Sequence, residues 1–172
     1  MKKINIFCFG FGQVAKSFIK KIYSENYDIN LSVTTRNKSQ KKLFNGVSYN
    51  SYFFNKNEFD KNLIVELKKS DHILISIAPI EGEDVVINNF EKILTGNKPK
   101  WVTYLSATSV YGDHQGAWVN EKSETIPTSS TGINRLAAET SWINLALKNK
   151  LPIQIFRLSG IYSNERNILV RL

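Results

Sequence analysis

The stretch INIFCFGFGQVA, residues 4–15, decides the fold of this chain. Its first half, Ile4 to Phe9, is a short apolar run that predicts a buried strand, and an apolar pattern with helical spacing follows it. Between the two, Gly10 allows a tight turn, Gly12 lets the backbone approach a pyrophosphate, and Ala15 lets the helix pack on the strand. A strand, a glycine turn and a helix in this order predict a dinucleotide site, with the phosphates at the helix N-terminus. The alternative is a plain turn that uses glycine for geometry alone.

Strands and helices alternate along the rest of the chain. Apolar runs predict strands over residues 31–35, 47–49, 72–78, 101–106 and 152–158, and helical periodicity predicts helices over 60–69, 83–94 and 133–148. Six strands with intervening helices indicate a Rossmann-type, doubly wound parallel α/β sheet. Ligands bind such sheets at the carboxyl ends of the strands, so the loops after the strands carry the candidate site. Cofactor contacts are expected there from Gly10, Phe11, Gly12, Gln13, Val14, Arg36, Ala78 and Pro79.

Composition is that of an ordinary globular protein. The chain has 172 residues, enough for one domain with a sizeable core, and 42% of them are hydrophobic. No apolar run reaches the roughly 18 residues that a membrane span requires, and the first residues lack the features of a signal peptide. Cys8 is the single cysteine, and its place in the first strand predicts a buried thiol in a reducing compartment. We therefore expect a cytoplasmic location, no membrane partner and, because the cysteine and the two histidines lie far apart, no metal.

The formal net charge of +8 is spread over the chain. No stripe of basic and aromatic residues lies along one predicted helix, so nucleic-acid binding rests on charge alone. A solvated, lysine-rich surface explains the same residues. We expect a small-molecule partner and no nucleic acid.

The segment after the second strand bears on the choice of cofactor. It reads VTTRNKSQKK, residues 33–42, and has no Asp or Glu to bind the ribose hydroxyls of NAD. Arg36 is accompanied by Lys38, Lys41 and Lys42, and a planar guanidinium suits a 2′-phosphate. The segment favours NADP over NAD, with a solvated cationic loop as the alternative.

The loop after the fourth strand begins with Ala78 and Pro79, where the backbone would line the cofactor. The acidic residues that follow, Glu81, Glu83 and Asp84, are interpreted as marking the start of a helix rather than taking part in chemistry.

The segment YLSATSVYGDHQGAWVNEKSETIPTSSTGINRLAAETSW, residues 104–142, carries a family resemblance. Together with GFGQVA near the start and FRLSGIYS at 156–163, it resembles the extended short-chain dehydrogenase/reductase superfamily, the NAD-dependent epimerase/dehydratase group, and most of all its atypical members. The resemblance implies a Rossmann domain over residues 1–172, a nicotinamide cofactor, and a smaller C-terminal substrate domain that is expected to be absent or truncated here. It also allows a homodimer.

The resemblance implies catalytic positions at which this chain departs from its active relatives. Where those relatives have a tyrosine and, four residues later, a lysine, this chain has Thr131 and Arg135. The position of their polarising Ser or Thr is Ala107, and the neighbouring hydroxyls of Ser106 and Thr108 are expected to point the other way along the strand. Thr131, Arg135 and Thr108 are the candidate residues of this degenerate site. Arg135 can still bind ribose hydroxyls, but the usual triad is not retained.

Substitutes for the triad are few. Asp113 and His114 follow the VYG turn, and histidine has a suitable intrinsic pKa, although a lone loop histidine is more often a surface residue. Tyr111 is expected to pack or to line the pocket, and Glu121 to make a structural hydrogen bond. Arg166, Asn167 and Arg171 are either the edge of a substrate pocket or a solvated tail.

Two functions follow from these residues. The first is an NAD(P)-binding, oxidoreductase- or epimerase-like protein that acts on a small molecule such as a nucleotide sugar. The alternative is a dinucleotide-binding sensor or scaffold without turnover, which the changes at Ala107 and Thr131 favour.

Overall fold

A computed structural model describes residues 3–163 of the chain. Within that range the strands are β1 Ile4–Phe9, β2 Ile29–Thr35, β3 Gln40–Phe44, β4 Val47–Asn55, β5 Glu58–Phe59, β6 His72–Ile75, β7 Trp101–Ala107 and β8 Ile153–Leu158. The helices are α1 Gln13–Ser24, α2 Asn62–Lys69, α3 Val85–Asn97 and α4 Ser130–Asn149, and a single 3₁₀ turn, Thr108–Val110, follows β7.

The sheet has the strand order β3-β4-β2-β1-β6-β7-β8, with β5 paired to the end of β4. Strand β1 lies in the middle and pairs in parallel with both β2 and β6. Strands β2 and β4 therefore follow β1 towards one edge of the sheet. The chain then crosses over, and β6, β7 and β8 follow β1 towards the other edge. This is the Rossmann-type doubly wound sheet that the sequence predicts, and its topological switch point lies between β1 and β6.

Apolar side chains cover both faces of the sheet. On one face, Ala15 and Ile19 of α1 pack with Cys8, Leu31 and Val33 of the strands. The other face carries a larger core formed with α2, α3 and α4, whose buried members include Leu63, Leu67, Phe90, Leu94 and Trp142. Burial raises the pKa of the Cys8 thiol to about 12, so the predicted buried thiol is confirmed and stays protonated at neutral pH.

Asp84 joins α3 to α4. Its Oδ1 accepts hydrogen bonds from the backbone N–H groups of Val86 at 2.9 Å and Ile87 at 3.0 Å, which makes it the N-cap of α3. Its Oδ2 accepts from Trp142 Nε1 at 2.8 Å. The interpretation of the acidic segment as a helix start is confirmed for Asp84.

The segment from residue 36 to residue 55 differs most from the sequence prediction. The sequence predicts a loop over residues 35–42, but Gln40–Phe44 is a strand that pairs antiparallel with β4. The strand expected over residues 47–49 extends from Val47 to Asn55 because it pairs with β2 on one side and β3 on the other. A hairpin therefore stands where a βαβ unit places its crossover helix. The fourth predicted strand also ends earlier, at Ile75.

Among residues 3–163, no helix combines the length and the apolar character needed to cross a bilayer.

Candidate functional site

Two adjoining cavities open at the carboxyl edge of the sheet. The larger, about 1040 Å³, lies over the ends of β1, β2 and β6, and the smaller, about 570 Å³, lies over the ends of β7 and β8. Gly12 and Ser76 line both, so the glycine turn stands where the two cavities meet. The site therefore straddles the switch point of the sheet, where ligands bind in open α/β folds.

The glycine turn has the geometry that the sequence predicts. Gly10 has a φ of +85°, and its N–H donates to Thr34 Oγ1 at 2.7 Å. A Cβ at Gly10 would lie 2.7 Å from Ser76 Oγ and 2.8 Å from Ile77 Cγ2, whereas a Cβ at Gly12 would meet nothing within 4 Å. Gly10 is thus required by the fold, and Gly12 leaves open space beside the helix. Because Gly12 supplies no side-chain cap, the first N–H groups of α1 remain available to an anion.

Aromatic and small residues form the walls of the larger cavity. Phe11 lies between the two glycines and packs against Phe44 of β3 and Tyr49 of β4, with ring centroids 5.3 Å and 5.2 Å apart. Ala78 and Pro79 line the same cavity from the loop after β6. The structure therefore brings together the predicted residues Gly10, Phe11, Gly12, Arg36, Ala78 and Pro79 around one cavity.

Cations outnumber acids in this cavity. Lys16, Arg36, Lys42 and Lys56 line it, and Glu81 is the one acid among its described lining residues. Glu81 already forms an ion pair with Lys56, with 3.3 Å between Oε1 and Nζ. Three cations, Lys16, Arg36 and Lys42, remain without an ion-pair partner within residues 3–163, and the cavity suits an anionic ligand.

The smaller cavity is lined by Gln13 and Val14 from α1, Ala107 from β7, Arg135 from α4, and Tyr162. Of the predicted cofactor contacts, Gln13, Val14 and Arg135 thus meet here. Arg135 is also bonded to the fold, because its Nη1 donates to the carbonyl oxygen of Leu105 at 2.7 Å and to Tyr104 Oη at 3.2 Å.

The two candidate catalytic residues that carry a hydroxyl, Thr108 and Thr131, are not among the described residues that line the two cavities. Thr108 begins the 3₁₀ turn after β7, so strand alternation does not set its direction, and its side chain is exposed. Thr131 is exposed in the first turn of α4, where Oγ1 lies 3.2 Å from Ser129 Oγ. Ser106 does line the smaller cavity, and its buried Oγ has no hydrogen-bond partner within the described range.

The suggested substitutes are also remote from the cavities. Asp113 accepts hydrogen bonds from the backbone and side chain of Gln115, and His114 Nε2 lies 3.1 Å from the carbonyl oxygen of Glu124. Glu121 is exposed on the same loop. None of these side chains lines either cavity over residues 3–163. Arg166, Asn167 and Arg171 lie outside the described residues.

Tyr111 packs inside the fold, which is one of the two roles that the sequence predicts for it. It is buried, and the guanidinium of Arg157 lies 4.8 Å above its ring. Arg157 binds both carboxylate oxygens of Glu139, a residue only 1% exposed, at 2.7–3.1 Å. The hydrogen bonds that Arg157 donates to Glu139 raise the pKa of Arg157 above its usual range, and this pair joins α4 to β8 beside the smaller cavity.

Sequence reasoning missed several lining residues. Ser76 binds the carbonyl oxygen of Phe9 through both its N–H and its Oγ, at 2.9 Å and 3.0 Å, and so fixes the loop after β6 against β1. Lys16 lies in the first turn of α1, where a cation opposes the helix dipole. The place of Lys16 one turn after the glycine motif is the signal that the sequence offers for its position beside the cavity. Within residues 3–163, no group of three or more His, Cys, Asp or Glu is placed to hold a metal ion.

Solved structures resemble this chain, whereas no protein-family model and no curated protein matches it. A conserved protein of unknown function from Silicibacter pomeroyi is 28% identical, with a TM-score of 0.79 over 99% of this chain and 57% of that one. UDP-glucuronic acid 4-epimerase from Bacillus cereus, solved with NAD, is 18% identical, with a TM-score of 0.74 over 95% of this chain and 59% of that one. For the NAD complex of dTDP-glucose 4,6-dehydratase from Bacillus anthracis, the identity is 14%, the TM-score 0.74 and the coverage 94% and 56%.

These likenesses establish a class of fold. The chain shares the Rossmann-type fold of these solved structures, among which are an epimerase and a dehydratase in complex with NAD. It spans between half and two thirds of the length of these neighbours.

Proposed function

We propose that this chain binds a nicotinamide dinucleotide across the two cavities, with the pyrophosphate at the glycine turn. The observation that carries the proposal is Gly12, which stands at the junction of the cavities, at the N-terminus of α1, with open space where a side chain would lie. Two structural neighbours of the same fold were solved in complex with NAD. The adenosine half would lie in the larger cavity and the nicotinamide half in the smaller one.

The donors around the cavities fit such a group. Backbone N–H groups at Gly12 and Gln13 would face the pyrophosphate, and the apolar wall of Phe11, Ala78 and Pro79 suits an adenine ring. Arg135 lines the nicotinamide side and would reach ribose hydroxyls with the guanidinium nitrogens that do not bind β7.

NADP is the proposed form of the cofactor. Arg36 follows β2 directly, lines the larger cavity and has no ion-pair partner within the described residues. The lining residues of this cavity contain no carboxylate at the end of β2 for the ribose hydroxyls of NAD. A guanidinium at that position favours a 2′-phosphate.

The proposed activity is that of an oxidoreductase- or epimerase-like protein with a degenerate site. A bound nicotinamide supplies hydride transfer, and a substrate of the nucleotide-sugar type is suggested by the neighbours. The chain itself offers little acid–base chemistry there: Ala107 lines the smaller cavity without a hydroxyl, and Thr131 and Thr108 lie outside the described lining. Losing a positioned acid or base costs roughly 10²–10⁴-fold in rate.

That placement favours a second candidate, a dinucleotide-binding sensor or scaffold with no turnover. The glycine turn serves either function, whereas hydride transfer needs a proton carrier beside the nicotinamide. Titrating the protein with NADPH and NADH, followed by a hydride-transfer assay with nucleotide sugars, separates the two. Binding with turnover supports the enzyme, binding without turnover supports the sensor, and the absence of binding contradicts both.

A further inference from the structure

The β3–β4 hairpin places one lysine of the cationic segment into the larger cavity and leaves its neighbour outside. Within β3, Lys42 and Phe44 are half-buried on one face, while Lys41 and Leu43 are exposed on the other, Leu43 to 73%. This is the two-residue alternation of a strand. Lys42 lines the cavity, and Lys41 is not among its described lining residues.

Two contacts fix the direction of that face. Phe44 packs on Phe11 of the glycine turn with 5.3 Å between ring centroids. Lys42 stands directly opposite Tyr49 in the antiparallel register, and Tyr49 also packs on Phe11, with 5.2 Å between ring centroids. Because Phe44 on the same strand face and Tyr49 on the paired strand both pack on Phe11, Lys42 lies on the cavity side of the hairpin.

Arg36 reaches the same cavity from the end of β2. Neither Arg36 nor Lys42 has a carboxylate partner within residues 3–163, and the acid in the cavity, Glu81, is paired with Lys56. An anion bound in this cavity between the two cations would be attracted by both of them.

We infer that Lys42 and Arg36 form a two-sided clamp for a phosphate on the adenosine ribose, with the hairpin supplying the second side. The inference rests on the proposed dinucleotide function and adds the residue that, with Arg36, makes the site selective for a 2′-phosphate. It also gives the hairpin a role: a crossover helix in its place would not present Lys42 beside the glycine turn.

The test compares Lys42→Gln with Lys41→Gln, which removes the same charge from the adjacent residue on the opposite face. Affinities are measured by calorimetry for NADPH, NADH, 2′,5′-ADP and AMP. We expect Lys42→Gln to weaken NADPH and 2′,5′-ADP about tenfold, as the loss of one charge-assisted contact does, and to leave NADH and AMP within about twofold. Lys41→Gln is expected to leave all four within about twofold.

The pH dependence supplies a second readout. A ribose phosphate gains its second charge near pH 6, so the preference of the wild type for 2′,5′-ADP over AMP should grow as the pH rises through that value. The double variant Arg36→Gln with Lys42→Gln should show a flatter dependence.

The outcomes distinguish the phosphate clamp from the dinucleotide site on which it rests. Binding of both NADPH and NADH, with Lys42→Gln and Lys41→Gln behaving alike, overturns the clamp and leaves the dinucleotide site standing. Equal binding of 3′,5′-ADP and 2′,5′-ADP overturns the 2′ assignment. A wild-type protein that binds none of these ligands overturns the clamp and the proposed function together.

Discussion

Arg135 donates a hydrogen bond of 2.7 Å from Nη1 to the carbonyl oxygen of Leu105, which fastens α4 to the end of β7 beside the smaller cavity. The same nitrogen donates to Tyr104 Oη at 3.2 Å, and burial raises the pKa of Tyr104 to about 12, so this hydroxyl stays neutral. Arg135 is thus part of the framework of this fold as well as part of the lining of the smaller cavity.

Replacing Arg135 should therefore affect stability as well as ligand binding. Arg135→Gln removes a charged donor from a backbone carbonyl and is expected to lower the free energy of unfolding by about 1–3 kcal/mol. Lys148→Gln, on the exposed side of the same helix, loses only the interaction of a solvated cation with the C-terminal end of the helix and should change it by less than about 1 kcal/mol. Urea denaturation of both variants measures the difference. Equal stabilities would show that the bond to Leu105 contributes nothing.

Gly10 and Gly46 offer a second stability test. Both have positive φ, +85° and +77°, but only at Gly10 would a Cβ crowd its surroundings, whereas at Gly46 it would meet nothing within 4 Å. Gly46→Ala should cost about 1–2 kcal/mol for the left-handed backbone alone. Gly10→Ala should cost a further 1–3 kcal/mol or so, because Ser76 and Ile77 must move. Chemical denaturation measures both, and equal costs would contradict the close packing beneath the turn.

The sequence predicts the centre of this fold better than its edge. The glycine turn and β1 are predicted because a buried parallel strand is a continuous apolar run and the glycine spacing is specific. Strand β3 is missed because its cations suggest a solvated loop. The signal that could have revealed it is the pair Asn45-Gly46, both with positive φ, which forms a two-residue hairpin turn between alternating strands.

The candidate site also has a part that the sequence predicts and a part that only the structure shows. Gly10, Phe11, Gly12, Ala78 and Pro79 were expected together because each follows a strand whose carboxyl end meets the same edge of the sheet. The separation of Lys42 from Lys41 depends on the register of a hairpin, which only the pairing partners fix. Likewise, the exclusion of Thr131 and Thr108 from the described lining depends on the positions of a helix start and a 3₁₀ turn.

Asp84 should make stability depend on pH. Burial, opposed by its hydrogen bonds from Ile87, Trp142 and Val86, raises the pKa of Asp84 in the folded protein above the ordinary value of 3.8. The folded state then holds this proton more tightly than the unfolded state, so the contribution of Asp84 to stability falls as the pH rises from 3.8 through the folded pKa.

Asp84→Asn removes that titration. We expect the free energy of unfolding of the wild type, minus that of the variant, to decrease as the pH rises from 3.8 through the folded pKa of Asp84. The altered hydrogen bond to Trp142 adds a difference that does not change with pH, so it does not affect this slope. Urea titrations at a series of pH values between about 3.5 and 6 measure the slope. A difference that grows with pH would show that the folded protein favours the charged form of Asp84.

The wild-type protein is expected to show no appreciable turnover of nucleotide sugars. Ala107 carries no hydroxyl in the smaller cavity, and Thr131 cannot titrate as a phenol does. Adding UDP-glucuronic acid or dTDP-glucose in the presence of NADP or NAD, and following both cofactor reduction and sugar products, tests this expectation. Robust turnover would direct attention to Ser106, whose buried hydroxyl lines the cavity without a partner within the described range, and to Asp113 and His114.

The central claim, that a dinucleotide crosses the glycine turn, is tested most directly by comparing Gly12→Val with Gly96→Val. A Cβ at either glycine meets nothing within 4 Å and neither φ is positive, so both variants should fold, as circular dichroism and denaturation would verify. Only the valine at residue 12 would occupy the space between the two cavities. NADPH titration should show at least a tenfold loss of affinity for Gly12→Val, about 1.4 kcal/mol, and wild-type affinity for Gly96→Val. Unchanged NADPH affinity in a folded Gly12→Val protein would contradict the account.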